Sequence, residues 1–551
     1  MSFRGGRLRH PAQRSVRAAP GHGVGRGFVM GCALGFLGLV TAGHSVLARQ
    51  APAAPDPLAA RVDPYVERSR VLVMTDIANE PDDQMSLVRF LLYANHYDIE
   101  GLVATTSTWM RTRVRPDVIH DVLEAYDQVQ PNLLIHEPGF PAAQDLRPLV
   151  VPGQPAYGMA AVGKGRSSPG ADLILRAAAS ADPRPLWVLA WGGANTLAQA
   201  LLQARDTRSA AELRALVSKL RVYAISDQDD AGPWLRREFP SLHYIVMPST
   251  PDGDQYYLAT WTGISGDRFY KNAPGADFTT FSEEWDEEHI RSKGPLGKLY
   301  PLPCCIHEGD TPSFLGLIDN GLASYMSPAY GGWGGRYVWR QFYGESRPCW
   351  TQGGDSYPGR DNSKDTVVGA DGRDYTSDQA TIWRWRRAFQ HDFAARMDWT
   401  VKDVPDANHN PEITVNGVAG KAPLLVDAVA GTPLTLDAAG TRDPDGHDLG
   451  YTWFFYPEAG TGIPDQPVLA TGLLPIGGGG TAGEGGIPSA AGGPRGAAPR
   501  VTLERADTPR VIVTPELPGT AHVILAVEDN GSPTLTAYRR VILTIAAPGP
   551  R

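Results

Sequence analysis

Apolar positions over residues 69–402 follow two alternating periods. Short runs at Val71–Met74, Ile99–Ala104, Leu133–Ile135, Leu186–Ala190, Arg221–Ile225 and Tyr244–Val246 read as six strands. Between them the spacing turns helical: Met85, Val88, Leu91 and Leu92 share one face, as do Val118, Val122, Leu123, Tyr126 and Val129. Further helices are read around Asp172–Ala179, over Leu197–Leu202 and from Pro233. This alternation predicts an α/β fold with a parallel sheet covered on both faces and right-handed crossovers. Residues 138–169 read as a long surface loop, and residues 251–303 as an aromatic insertion. Two more helices are marked by Phe314, Leu315, Leu317 and Ile318, and by Ile382, Trp385, Phe389 and Phe393. Residues 403–411 read as a linker.

Beyond the linker the pattern changes to short strands with turn signals between them. Leu434–Leu436, Tyr451–Phe455, Val511–Val513, His522–Val527 and Tyr538–Ile545 alternate with turns such as Asp443-Pro-Asp-Gly446 and Asp529-Asn-Gly531. A small immunoglobulin-like β-sandwich over residues 412–548 follows, with a Gly-rich stretch at 471–498 expected to be disordered.

The N-terminus departs from this. Six arginines and no acid precede an apolar run from Phe28 to Val40, and small or apolar residues follow at Val46–Ala48. Residues 1–48 therefore read as a secretory signal and 49–68 as a linker, which makes the mature protein secreted or periplasmic; a retained membrane anchor is the alternative, though the apolar run is short for a span. No other stretch is apolar enough to span a bilayer. A formal net charge of −9 offers nothing to nucleic acid. Cys304, Cys305 and Cys349 allow one bridge in an oxidising compartment, and Cys304-Cys305-Ile-His307 is at most a faint zinc signal.

The chemistry is concentrated where the first strand ends. Asp76, Glu80, Asp82 and Asp83 fall within eight residues, directly after a buried run and at the start of a helix. Capping accounts for one or two carboxylates there, not four. Crowded like charges call for a cation, and an all-oxygen set suits a hard divalent ion, calcium first; a solvated acidic loop is the alternative. Polar groups also follow the second, fourth and fifth strands: Thr105–Thr108, Trp191–Thr196 and Ser226–Asp230. In open parallel sheets the ligand crevice lies beyond the carboxyl ends of the strands, so these clusters are expected to converge. Glu308 and Asp310 form one more acidic pair ahead of a helix.

Four segments together, Thr75–Asp83, Ser226–Trp234, Glu308–Phe314 and Gly331–Arg336, resemble the nucleoside-hydrolase-like family described as cellulose-binding proteins of unknown activity. The likeness covers roughly residues 69–400, and the sandwich is similar to that family's C-terminal domain. The more distant likeness to true nucleoside hydrolases implies a calcium ion and cleavage of N-ribosyl bonds. It implies Asp76 as metal ligand and base for the attacking water, with Asp83, Asp310 and a backbone carbonyl of Asn195 as further ligands. It also implies Asp82 as the group holding a sugar hydroxyl. Asn79, Glu80, Thr106 and Trp191 are further candidates for substrate contact. So are Asp227, Asp229, Glu308 and Trp333, the last as a stacking surface. The pattern departs from true nucleoside hydrolases in the inserted Glu80-Pro81 and in Thr105-Thr106-Ser107 where those enzymes carry an Asn. Metal binding transfers better than ribose recognition. The expected function is a metal-dependent glycosyl-bond hydrolase acting on a nucleoside or related sugar compound. The alternatives are a non-catalytic binder of cellulose or another polysaccharide, and a calcium-stabilised envelope protein.

Overall fold

A computed structural model describes residues 57–247, 259–265, 275–303, 306–341, 345–351, 363–460 and 500–549. The N-terminal segment read as a signal, the Gly-rich stretch, Cys304 and Cys305 lie outside these residues.

The central sheet has eight strands in the order β3-β2-β1-β4-β5-β6-β8-β7. They are β1 (Ser69–Thr75), β2 (Tyr97–Ala104), β3 (Val150–Pro152), β4 (Leu186–Ala190), β5 (Leu220–Ser226), β6 (His243–Met247), β7 (Val338–Arg340) and β8 (Cys349–Thr351). All neighbours pair in parallel except β7 with β8. β1, β4, β5 and β6 are buried along their whole length, which is why they read as unbroken apolar runs. The chain builds outward from β1 through β2 to β3. It then returns to the other side of β1 and builds through β4, β5 and β6. The strand order thus reverses between β1 and β4, and the loops leaving these two strands open a crevice between them.

α1 (Asp82–Leu92) packs with α2 (Pro116–His136) and with the helix Arg386–Trp399. The helices Pro169–Ala178, Asn195–Thr207 and Ala231–Glu238 form a second group. Leu133–Ile135 is not a strand, as the sequence pattern suggested, but the last turn of α2, which runs through Pro131. Leu133 extends the buried stripe of Ile119, Val122, Tyr126 and Val129, while Leu134 and Ile135 face solvent. The third strand is instead the three-residue edge β3, inside the stretch read as loop. The helix expected over Phe314–Ile318 is a single turn, Pro312–Leu315.

A hairpin, β9 (Asp365–Val368) with β10 (Asp374–Ser377), and a two-residue ladder, β11 (Thr414–Val415) with β12 (Val418–Ala419), precede the sandwich. One sandwich sheet runs β13 (Leu424–Val429), β19 (Thr536–Ala546), β18 (Gly519–Asp529), β15 (Leu449–Phe455); the other runs β14 (Leu434–Asp437), β17 (Arg510–Pro515), β16 (Val501–Glu504). Val511, Val513, Val523, Leu525, Val541 and Leu543 alternate into its core around Trp453. Its outward-facing Tyr456, Ile524 and Tyr538 join the core of the α/β part. In the stretch read as a linker, residues 403–406 are exposed, whereas Ala407 and Asn408 are buried and the Asn408 carbonyl accepts the indole N–H of Trp399 at 2.9 Å.

Candidate metal centre

β1 ends at Thr75, and the chain turns through Ala78 at φ 79° before α1 begins at Asp82. This turn delivers Asp76, Glu80, Asp82 and Asp83 to one cleft of about 380 Å³. Asp310 and Gly309 enter it from the turn before Pro312, and Trp191 from the end of β4. Trp109, Ile225, Ser226, Gln228, Trp261 and Ile306 complete the walls. Carboxylate oxygens of Asp82, Asp83 and Asp310 lie within 4.8 Å of one another, and all three residues are buried. Asp82, expected to hold a sugar hydroxyl, therefore stands among the potential ion ligands.

No Arg or Lys pairs with Asp76, Asp82, Asp83 or Asp310 among the described residues. Burial pushes Asp76 up to about 7 against the opposing hydrogen bond from Ser107, and Glu80 adds to the rise. Burial, then Glu80 and Asp76, push Asp82 up to about 8. Asp83 and Asp310 are raised well above the usual carboxylate range, again by burial first and by their acidic neighbours next. Asp83 accepts the hydroxyl of Thr75, whereas Oδ2 of Asp76 is buried with no hydrogen-bond partner.

The backbone leaves room for these groups. A Cβ on Gly192 would come within 2.6 Å of Asp76 Oδ1, and one on Gly309 within 2.6 Å of Asp82 Oδ2. Uncompensated buried carboxylates converging on one point, around a space kept clear by glycines, fit a hard divalent cation.

Other expected residues lie outside this convergence. Asn195 is the first residue of its helix, where backbone carbonyls run along the axis toward the following turn, and it does not line the cleft. Its side chain donates to Ala156 O at 2.8 Å and to Thr106 Oγ1 at 3.3 Å, behind the cleft. Asp229 accepts the backbone N–H groups of Asn195 at 3.1 Å and Ala231 at 2.9 Å, pinning the starts of two helices. Asp227 is gripped by Arg236 at 2.7 and 2.8 Å. Glu308 is fully buried against Arg89 at 2.6 Å and accepts the Tyr300 hydroxyl at 2.7 Å. Trp333 packs edge-on to Phe389 and Tyr538 in the core. Asn79 is exposed and bonds to Glu80. Of the faint zinc signal, His307 is buried and engaged with the Tyr300 hydroxyl at 2.9 Å. Cys349 is a buried free thiol.

Sequence reasoning passed over Ser107, Trp109 and Gln228 as individual site residues. Their only signal was position directly after β2 or β5.

A mostly parallel sheet with an acidic cleft at its switch point defines an α/β protein with a candidate cation site beyond its strand ends. The family model described as "Cellulose-binding Sde182, nucleoside hydrolase-like domain" matches residues 70–337, and that described as "Cellulose-binding protein Sde0182, C-terminal domain" matches residues 433–545. A solved structure of a nucleoside hydrolase-related hypothetical protein from Saccharophagus degradans, associated with carbohydrate metabolism, is 34% identical. It aligns over 87% of this chain and 100% of that one, with a TM-score of 0.67. The chain belongs to this family of cellulose-binding, nucleoside hydrolase-like proteins. The type III effector XopQ, solved with adenosine diphosphate ribose, is 13% identical over 48% of this chain and 71% of that one, with a TM-score of 0.24. The PKD domain of the KIAA 1837 protein is 17% identical over 24% and 87%, with a TM-score of 0.13. At such scores neither bears on function. No curated protein matches the chain.

Proposed function

We propose that the cleft binds calcium and hydrolyses a glycosyl bond in a nucleoside or related sugar compound, outside the cytoplasm. The observation that carries this reading is the set of buried carboxylates, Asp76, Asp82, Asp83 and Asp310, with no countercharge among the described residues. Asp82, Asp83 and Asp310 would hold the ion with Asp76 beside them. Such an ion, when bound, polarises a water and orients a sugar diol.

The chain's own groups supply the rest. Asp76 has a carboxylate oxygen free to accept the water's proton. The water oxygen bonds to the anomeric carbon as the glycosyl bond breaks, Asp76 takes the water's proton, and the leaving group takes a proton from solvent. Trp109, Trp191 and Trp261 offer faces or edges for a base or sugar ring and limit water around the reacting carbon.

The test is hydrolysis by the intact chain of a panel of nucleosides and aryl glycosides, with and without calcium. Asp76→Asn should lose at least ~100-fold in kcat while keeping the fold, as expected of a general base. An unchanged rate would remove Asp76 from the chemistry.

A second reading is favoured by Trp109, which is 58% exposed at the cleft, and by the cellulose-binding description of the family. In it the same cleft holds a glycan without cleaving it. Saturable retention of short glucans without product release, lost in Trp109→Ala, would select this reading.

A further inference from the structure

A second cluster of ligating groups lies in the sandwich, at the turn between β14 and β15. Asp443, Asp445 and His447 each present a donor atom within 4.8 Å of the other two. The Asp443 side chain is 1% exposed. Its Oδ1 accepts the backbone N–H groups of Asp445 at 2.9 Å and His447 at 3.0 Å, which fixes the turn. Its Oδ2 is buried with no hydrogen-bond partner, and so is Nδ1 of His447. Two buried polar atoms without hydrogen-bond partners are costly in a turn whose backbone is fixed by the Asp443 carboxylate. Around these two atoms the turn is open: Asp445 is exposed and the His447 side chain is 34% exposed, so an ion reaches the site from solvent.

The donor set separates this place from the cleft. An imidazole nitrogen with two carboxylates suits zinc better than a hard ion that takes only oxygen. The spacing agrees: His447 Nδ1 is 3.5 Å from Asp443 Oδ1. Tetrahedral ligands at ~2.0–2.1 Å from zinc stand roughly 3.3 Å apart, which this pair approaches, and a donor atom of Asp445 lies within 4.8 Å of both.

Its position gives the ion something to do. Asp445 also accepts the backbone N–H of His409 at 2.7 Å and meets that ring's Nδ1 at 3.0 Å. His409 stacks on Trp399 and on His136, so it ties the connecting stretch to the α/β part. Asn530 accepts the N–H of Asp448 at 3.0 Å from the neighbouring turn.

We propose that Asp443, Asp445 and His447 form a zinc-class site, independent of the cleft, which clamps the sandwich turn onto the connecting stretch. The experiment uses the intact chain carrying Asp83→Asn, to weaken the cleft, and adds Zn²⁺ after chelation and dialysis. Stoichiometry is read by elemental analysis and affinity by calorimetry. One equivalent of Zn²⁺ is expected, with a higher Tm. His447→Gln, which leaves the turn's backbone bonds in place, should weaken it by more than the ~10–100-fold that an outer partner's loss costs. Asp443→Asn, which keeps an acceptor for both N–H groups, should do the same, so a misfolded variant of either kind is not decisive alone. Co²⁺ should give tetrahedral visible absorption that vanishes in His447→Gln. Equal Zn²⁺ binding with and without His447, no binding, or binding of Ca²⁺ alone would each overturn the proposal.

Discussion

Gly192 and Asp76 are packed so closely that a Cβ on the glycine would lie 2.6 Å from the aspartate's Oδ1. The two residues leave adjacent strands on either side of the point where strand order reverses, and the absent side chain is what lets Asp76 face the cleft. Gly192→Ala should displace Asp76 while leaving the sheet intact. Calcium affinity, measured by calorimetry, should fall at least ~10-fold, with the far-UV circular dichroism unchanged. Unaltered affinity would mean that Asp76 needs no such clearance.

Chelation and pH should act together. Asp76 at about 7 and Asp82 at about 8 are raised above the 3.8 of a free carboxyl, by burial first. A group raised in the folded state favours folding most below its unfolded value, and that contribution is lost as pH rises through the folded value. The chelated protein should therefore lose Tm between about pH 4 and pH 8. Calcium should restore it, with a larger gain at pH 8 than at pH 5. A calcium-induced shift that is the same at both pH values would contradict the clustering of these acids.

Arg89 and Glu308 are both fully buried, and the guanidinium also donates to Gln390 Oε1 at 2.7 Å and Phe389 O at 2.6 Å. Arg89→Met leaves a buried carboxylate without its partner. Urea denaturation should show a loss of about 3–5 kcal/mol. Glu308 also stands at φ 54°, two residues before Asp310, so the variant should weaken calcium binding too. A loss of sugar binding with unchanged stability would instead return Glu308 to the list of substrate contacts.

Arg540 sits at the seam between the two parts. Its guanidinium donates to Leu322 O at 2.6 Å, Gly331 O at 2.7 Å and His522 Nδ1 at 2.9 Å. Burial pulls its pKa down to about 10. Arg540→Met strips two buried carbonyls of a donor and should cost about 2–4 kcal/mol. Calorimetry should show one unfolding transition for the parent chain and two for the variant. A single transition in both would show that the seam is held by apolar packing alone.

How much of this was legible in the sequence depends on range. Asp76, Asp82 and Asp83 were readable because strand, turn and helix follow one another within a few residues. Asp310 was readable only through family resemblance, since nothing local says that residue 310 folds back beside residue 83. Leu133–Ile135 misled because three apolar residues after a proline look like a strand. The helix continues there because Leu133 keeps its stripe in the core, an effect of packing that no short window contains. β7 and β8 escaped notice for the same reason: each has three residues, β8 exists only by pairing with β6 and β7, and β7 only by pairing with β8. Glu308, Asp227 and Asp229 looked like site acids because their arginine and backbone partners come from distant or nearby segments that only the fold brings to them.

The way the sandwich leans on its neighbour also limits how the protein can be taken apart. Tyr456, Ile524 and Tyr538 are shared with the larger core, and Tyr456 reaches across to Asp365 at 2.6 Å. A fragment cut at the connecting stretch would carry these rings bare, and its partner fragment would carry the matching hollow. Either piece could cling to an insoluble fibre simply through the torn face. Retention on cellulose therefore has meaning for the whole molecule, challenged with soluble sugar as competitor, and not for its halves.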